Sequence, residues 1–149
     1  MIELVSNQLI FRPVREIFEF ISMPENDFLW QYGTLASAQV SKVPAGRGTI
    51  FRSIGHFMGH RFEGTYEITE YEYCRRYGYK SLSGPISSQT LYTFDIYGKG
   101  AKISVSTHAS VANLIKVNES ILQKQMKRQL KENLEMLKGI LEAPIGATG

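Results

Sequence analysis

Hydrophobic and polar positions separate most cleanly between Asn118 and Glu142. Wound at about 3.6 residues per turn, Leu122, Met126, Leu130, Leu134, Leu137, Ile140 and Leu141 form one apolar stripe over about a third of the circumference. Lys124, Lys127, Arg128, Lys131, Glu135, Lys138 and Glu142 lie opposite. The spacing predicts a single amphipathic helix, roughly 35 Å long at about 1.5 Å per residue. No second helix of comparable length is legible, so a sheet must cover the apolar face. Asn133 falls inside the stripe, where a buried amide needs hydrogen-bond partners.

The rest of the chain reads as short elements. Ile2 to Phe11 is a β-type run, and Pro13 then opens a helix at the position where its missing N–H costs nothing. Val14, Ile17, Phe18 and Ile21 recur at helical spacing until Pro24, and Glu25 to Gln31 form a second short helical piece carrying Phe28, Leu29 and Trp30. From Leu35 onward the runs are broken at Pro44 to Gly48, Met58 to His60, near Cys74, Ser83 to Ser87 and Gly98 to Gly100, which predicts an antiparallel meander.

One face can be followed through that meander. Phe62, Gly64, Tyr66 and Ile68 alternate with Arg61, Glu63, Thr65, Glu67 and Thr69. Two-residue-type loops would set Phe51, Ser53, Gly55 and Phe57 opposite Ile68, Tyr66, Gly64 and Phe62, with Tyr77, Tyr79 and Ser81 on the same side. Tyr92, Phe94 and Ile96 continue the inward set, followed by Ile103, Val105, Thr107 and Ala109. Lys102, Ser104, Ser106, His108 and Ser110 face outward. Residues from Ala143 onward read as a frayed end.

Composition adds bounds. The 149 residues fit one domain, 1–143, with a flexible tail at 144–149. A hydrophobic fraction of 43% and an aromatic fraction of 11% are those of a soluble globular protein. The net charge of +3 is mild and its basic residues are interleaved with acidic ones, so no nucleic-acid partner is expected. A lone Cys74 leaves no internal disulfide and fits a reducing compartment. Neither a signal-peptide pattern nor an apolar run of membrane-spanning length is present, and the expected location is cytoplasmic.

The order strand, helix pair, curved meander, long C-terminal helix is the helix-grip order, and particular residues resemble one family. The stretch from Val14 through Ile17, Phe18 and Ile21 to Ser22, Met23, Pro24, Glu25, Asn26 and Trp30 resembles the "helix, then Ser-Asp-Pro-Glu, then Trp" opening of the polyketide cyclase/dehydrase branch of the START-like (Bet v 1-like, SRPBCC) superfamily. Met23 stands where the usual residue is Asp. Gly48 to Phe51, Thr65 to Glu70, Arg75 to Lys80 with Ser83, Gly84 and Pro85, and Tyr92 to Phe94 are also similar to that branch. The resemblance implies an α+β helix-grip fold: a curved antiparallel sheet of six or seven strands around the long helix, two short helices after the first strand, and a hydrophobic cavity between sheet and helix. It does not imply one reaction.

Within that fold the inward hydroxyls of Tyr66, Tyr77, Tyr79, Tyr92, Ser53, Ser81 and Thr107 could orient the polar end of an apolar ligand. Alternatively the tyrosines pack in the core with their hydroxyls satisfied by backbone. Glu63, Glu67, Arg52, His56 and His108 fall on the outward parity, so alternation places no titratable group toward the cavity for acid–base work. His60 and Arg61 belong to a hairpin rim. No metal set is readable, because His56 and His60 straddle a turn and Cys74 has no partner. Arg75 and Arg76 could activate Cys74, but no histidine stands near it in sequence. The glycine pairs at Gly46, Gly48, Gly98 and Gly100 join strand to strand, which gives a phosphate no helix N-terminus.

The reading is a protein that binds a hydrophobic or aromatic small molecule, lipid- or polyketide-like, in contact with Trp30, Phe51, Phe62, Tyr66, Tyr79, Tyr92, Phe94, Met126, Leu130 and Asn133. A cyclase/dehydrase-like enzyme acting in the same cavity is the alternative, and an interaction module with a filled core the second. No cofactor is expected, and a homodimer remains open.

Overall fold

The structure is a computed structural model that describes residues 1–40, 44–111 and 118–144. The first strand is β1 (Ile2–Ile10), and α1 (Val14–Ile21) follows it, entered through Pro13. A 3-10 turn (Pro24–Asn26) leads into α2 (Asp27–Trp30), so the second helical piece is two short units rather than one. Then come β2 (Thr34–Gln39), β3 (Ile50–Phe57), β4 (His60–Glu72), β5 (Arg76–Ser83), β6 (Ile86–Tyr97) and β7 (Gly100–Val111), and the chain closes with α3 (Glu119–Glu142). Of the frayed end expected after Glu142, residues 145–149 lie outside the described residues.

The strands make one curved antiparallel sheet of seven in the order β1-β7-β6-β5-β4-β3-β2. The first strand thus pairs with the last, and β2 lies at the far edge beside β3. Alternation assigns the inner face of β4 through Ile68 correctly, but the β3–β4 register lies two residues away from the expected one. Phe51 faces Tyr66, Ser53 faces Gly64, Gly55 faces Phe62 and Phe57 faces His60. The cause is the tight turn at Met58 and Gly59, both left-handed with φ of 50° and 81°, the twist that a two-residue hairpin loop requires.

Irregularities in β4 rephase its later half. Register shifts fall between Thr65 and Tyr66 and between Ile68 and Glu70. An unpaired residue reverses which side each following residue faces. Past the second shift Tyr71 stands opposite Tyr77 and packs edge-on against Phe18, with ring centroids 5.4 Å apart. Ile96, expected on the inner face, is 77% exposed, because the β6–β7 hairpin runs on past the core, whose last β6 member is Phe94.

The apolar stripe of α3 divides between two core clusters. Leu134 and Leu137 pack with Ile17, Phe18, Trp30, Phe51, Tyr77 and Tyr92. Leu122 packs with Ile2, Leu4 and Ala109 at the other end of the sheet. Leu130 is half-buried and touches both clusters. The helix is capped by Asn118, whose Oδ1 accepts from the Ser120 amide at 2.8 Å. Its far end is tied to β1: Lys138 donates to the Leu9 carbonyl at 2.8 Å, and the Glu142 carboxylate accepts from the Phe11 amide at 2.8 Å.

Candidate functional site

The two clusters meet at Leu130, and beneath the middle of α3 lies a cavity of about 250 Å³ that opens to solvent. The sheet contributes Tyr66, Tyr79 and Tyr92, and the helix contributes Met126, Leu130 and Asn133. Parity explains the sheet side, since these tyrosines occupy inward positions on β4, β5 and β6. Helical spacing explains the other, since Met126, Leu130, Asn133 and Leu134 share one face.

Phe62 lines a smaller recess of about 150 Å³ that shares His56, Tyr66 and Ile86 with the cavity. The remaining three residues expected in the lining stand behind it. Phe51 is buried with its ring 5.2 Å from Tyr66, stacked, and 5.3 Å from Tyr79, edge-on. Phe94 is buried against Phe18 at 5.1 Å. Trp30 lies behind Tyr92, at 6.1 Å and edge-on, and borders a separate outer recess between α2 and α3. Its indole Nε1 is buried without a hydrogen-bond partner among the described residues.

The small hydroxyls are already engaged. Ser53 bonds Ser37 at 2.9 Å, Ser81 accepts from the Ser88 amide at 2.8 Å, and Thr107 pairs with Thr90 at 3.1 Å. The amide of Asn133 meets the requirement of its place in the apolar stripe, because its Oδ1 accepts from the Tyr32 backbone N–H at 2.9 Å. That contact ties α3 to the end of α2.

The tyrosines are held firmly as protonated phenols. Burial pushes Tyr66, Tyr79 and Tyr92 up from the ordinary value of 10, and the charge of Asp27 adds to the rise in each. Tyr77, deeper in the cluster, is raised for the same two reasons. A contact between the hydroxyls of Tyr79 and Tyr92 also shifts both. Each phenol therefore keeps its proton as a hydrogen-bond donor.

Asp27 is the residue that alternation does not reveal. It opens α2, is 7% exposed, and its carboxyl is held well above the usual carboxylate range by burial and then by the neighbouring charge of Glu25. It is buried on α2 with Trp30, whose ring lies 6.1 Å from Tyr92. The available signal was Trp30: on a helix, a residue three positions before a buried one shares its face.

His56 is exposed, as its outward parity predicts. It borders the cavity, the recess beside Phe62 and a groove lined by Tyr32, Gln125, Arg128 and Glu132, with its ring 6.2 Å from Tyr32. His108 stays on the outer face near Glu3, at 3.4 Å. Among the described residues no group of three or more His, Cys, Asp or Glu side chains could hold a metal ion. No described helix is long and apolar enough to cross a membrane.

No protein-family profile matches this sequence, and no curated protein matches it either. Solved structures do. A START superfamily protein from Mycobacterium smegmatis superposes with a TM-score of 0.82 at 12% identity, over 95% of this chain and 98% of that one. Ara h 8.0201 gives 0.68 at 13% identity, over 93% and 96%. The di-domain ARO/CYC BexL from the BE-7585A biosynthetic pathway gives 0.70 at 13% identity, over 93% of this chain and 45% of that one. At such identities the likeness is one of fold, and it agrees with the sheet order, the paired terminal strands and the gripped helix: the chain has the START/Bet v 1-like (SRPBCC) helix-grip fold.

Proposed function

We propose that this protein binds a hydrophobic or aromatic small molecule, lipid- or polyketide-like, in the cavity between the sheet and α3. The observation that carries this reading is the space left under Leu130, about 250 Å³ walled by tyrosine rings on one side and by Met126 and Leu130 on the other. An apolar cavity of about 150 Å³ is enough to take up benzene. The volume here suits a two-ring molecule, and the recess beside Phe62 offers room for a longer one. Met126 supplies an adaptable wall.

Native mass spectrometry of the protein as purified, beside Leu130→Trp, tests the reading. A co-purifying apolar adduct on the wild type, absent from the variant whose indole fills the space, is the expected result. Equal masses with and without denaturation, together with no uptake of added naphthalene, would count against it.

A second reading, a cyclase/dehydrase-like enzyme acting in the same cavity, gains support from the tyrosines of the lining. Tyr79 and Tyr92 keep their protons and can donate hydrogen bonds to a developing oxyanion. Its test is turnover of a poly-β-ketone thioester, with Tyr79→Phe reducing the rate of product formation by more than it weakens binding.

A further inference from the structure

The lining of this cavity includes no lysine, arginine, aspartate or glutamate among the described residues, and its titratable members are His56 at the edge and three tyrosines. Arg128 of α3 borders the groove beside His56 rather than the cavity, and stands 3.7 Å from Glu132. The interior therefore offers hydrogen bonds without countercharge for an anion.

We propose that the cavity selects uncharged aromatic ligands bearing a hydroxyl or carbonyl oxygen over carboxylates of the same skeleton. This rests on the binding reading above and deepens it to a ligand class. A carboxylate entering the cavity would give up its hydration with no cation to replace it. A neutral oxygen escapes that cost and accepts a hydrogen bond from a phenol that holds its proton.

Three probes with one two-ring skeleton test this on the full chain at pH 7: 2-naphthol, 2-naphthoate and naphthalene, titrated by calorimetry or fluorescence. We expect 2-naphthol to bind at least about tenfold more tightly than 2-naphthoate, and severalfold more tightly than naphthalene, the ratio one good hydrogen bond provides. Tyr92→Phe should weaken 2-naphthol severalfold and leave naphthalene unchanged. Binding of 2-naphthoate as tight as 2-naphthol overturns the selection while leaving the cavity reading intact, and so does naphthalene binding as tight as 2-naphthol. Binding of none of the three overturns the cavity reading and this inference together.

Discussion

Asp27 and Trp30, one helical turn apart on α2, are buried together at 7% and 2% exposure, whereas Phe28 and Leu29 between them are 54% and 44% exposed. The short helix therefore turns an acid and an indole inward and two apolar side chains outward, the reverse of what hydropathy favours. Such an inversion costs stability. It is the arrangement of a site rather than of a core, because burial here disfavours ionisation of the acid and leaves an indole N–H without a partner.

That cost makes a prediction about pH. At low pH the Asp27 carboxyl is protonated in folded and unfolded chains alike. As pH rises past its ordinary value of 3.8, the unfolded chain releases the proton while the folded chain keeps it, so stability falls until the folded carboxyl also ionises. Asp27→Asn carries no such penalty. Thermal unfolding followed from about pH 4 upward should show the variant gaining on the wild type as pH rises. A melting-temperature difference that stays constant across that range would mean the carboxyl titrates normally.

Much of this fold is legible in the sequence. The stripe from Leu122 to Leu141 marks the one long helix, and alternation through Phe62, Gly64, Tyr66 and Ile68 assigns the inner face, because both patterns run long enough for a period to show. Local geometry hides the rest. The pairing of Phe57 with Phe62 leaves four residues in the β3–β4 loop and that with His60 leaves two; both keep the same faces inward, so alternation does not choose between them, and the Met58–Gly59 turn takes two. The irregularity at Ile68 to Glu70 inserts a residue and swings Tyr71 inward. The four residues of α2 are too few for any period, which is why Asp27 escapes notice although Trp30 does not.

Gly64 sets the position of Tyr66. A methyl group there would lie 3.2 Å from Tyr66 Cε2 and 3.3 Å from its hydroxyl, with the Ser83 carbonyl at 3.1 Å on the other side. The strand backbone cannot retreat, so the ring must. Gly64→Ala should therefore weaken 2-naphthol binding severalfold. Its stability should change by no more than about 1 kcal/mol, since the lost contact is offset by a less flexible unfolded chain. Wild-type affinity in the variant would show that the Tyr66 ring plays no part in the lining.

Adjacent residues on α3 should respond in opposite ways. Leu137 is wholly buried and Met136 is exposed. Leu137→Ala should cost about 2–5 kcal/mol, the transfer term plus the cavity left behind. Met136→Ala should stay within about 0.5 kcal/mol. Urea denaturation of the two variants checks the helix phase directly, and similar losses in both would mean the helix is rotated about its axis relative to the sheet.

Asn133 joins cavity wall and helix pair through one hydrogen bond, from the Tyr32 amide to its Oδ1 at 2.9 Å. Asn133→Leu preserves bulk on the lining but removes the acceptor, so the Tyr32 N–H must find water or go unpaired. The expected loss is about 1 kcal/mol, because the amide lies near enough to solvent to recover part of the bond. The diagnostic effect is local. Hydrogen exchange at Tyr32 should accelerate, whereas Leu134 and Leu137 amides, deep in the same helix, keep their protection. If Tyr32 exchanges at the wild-type rate in the variant, α2 is held to α3 by apolar packing, and Asn133 belongs to the cavity alone.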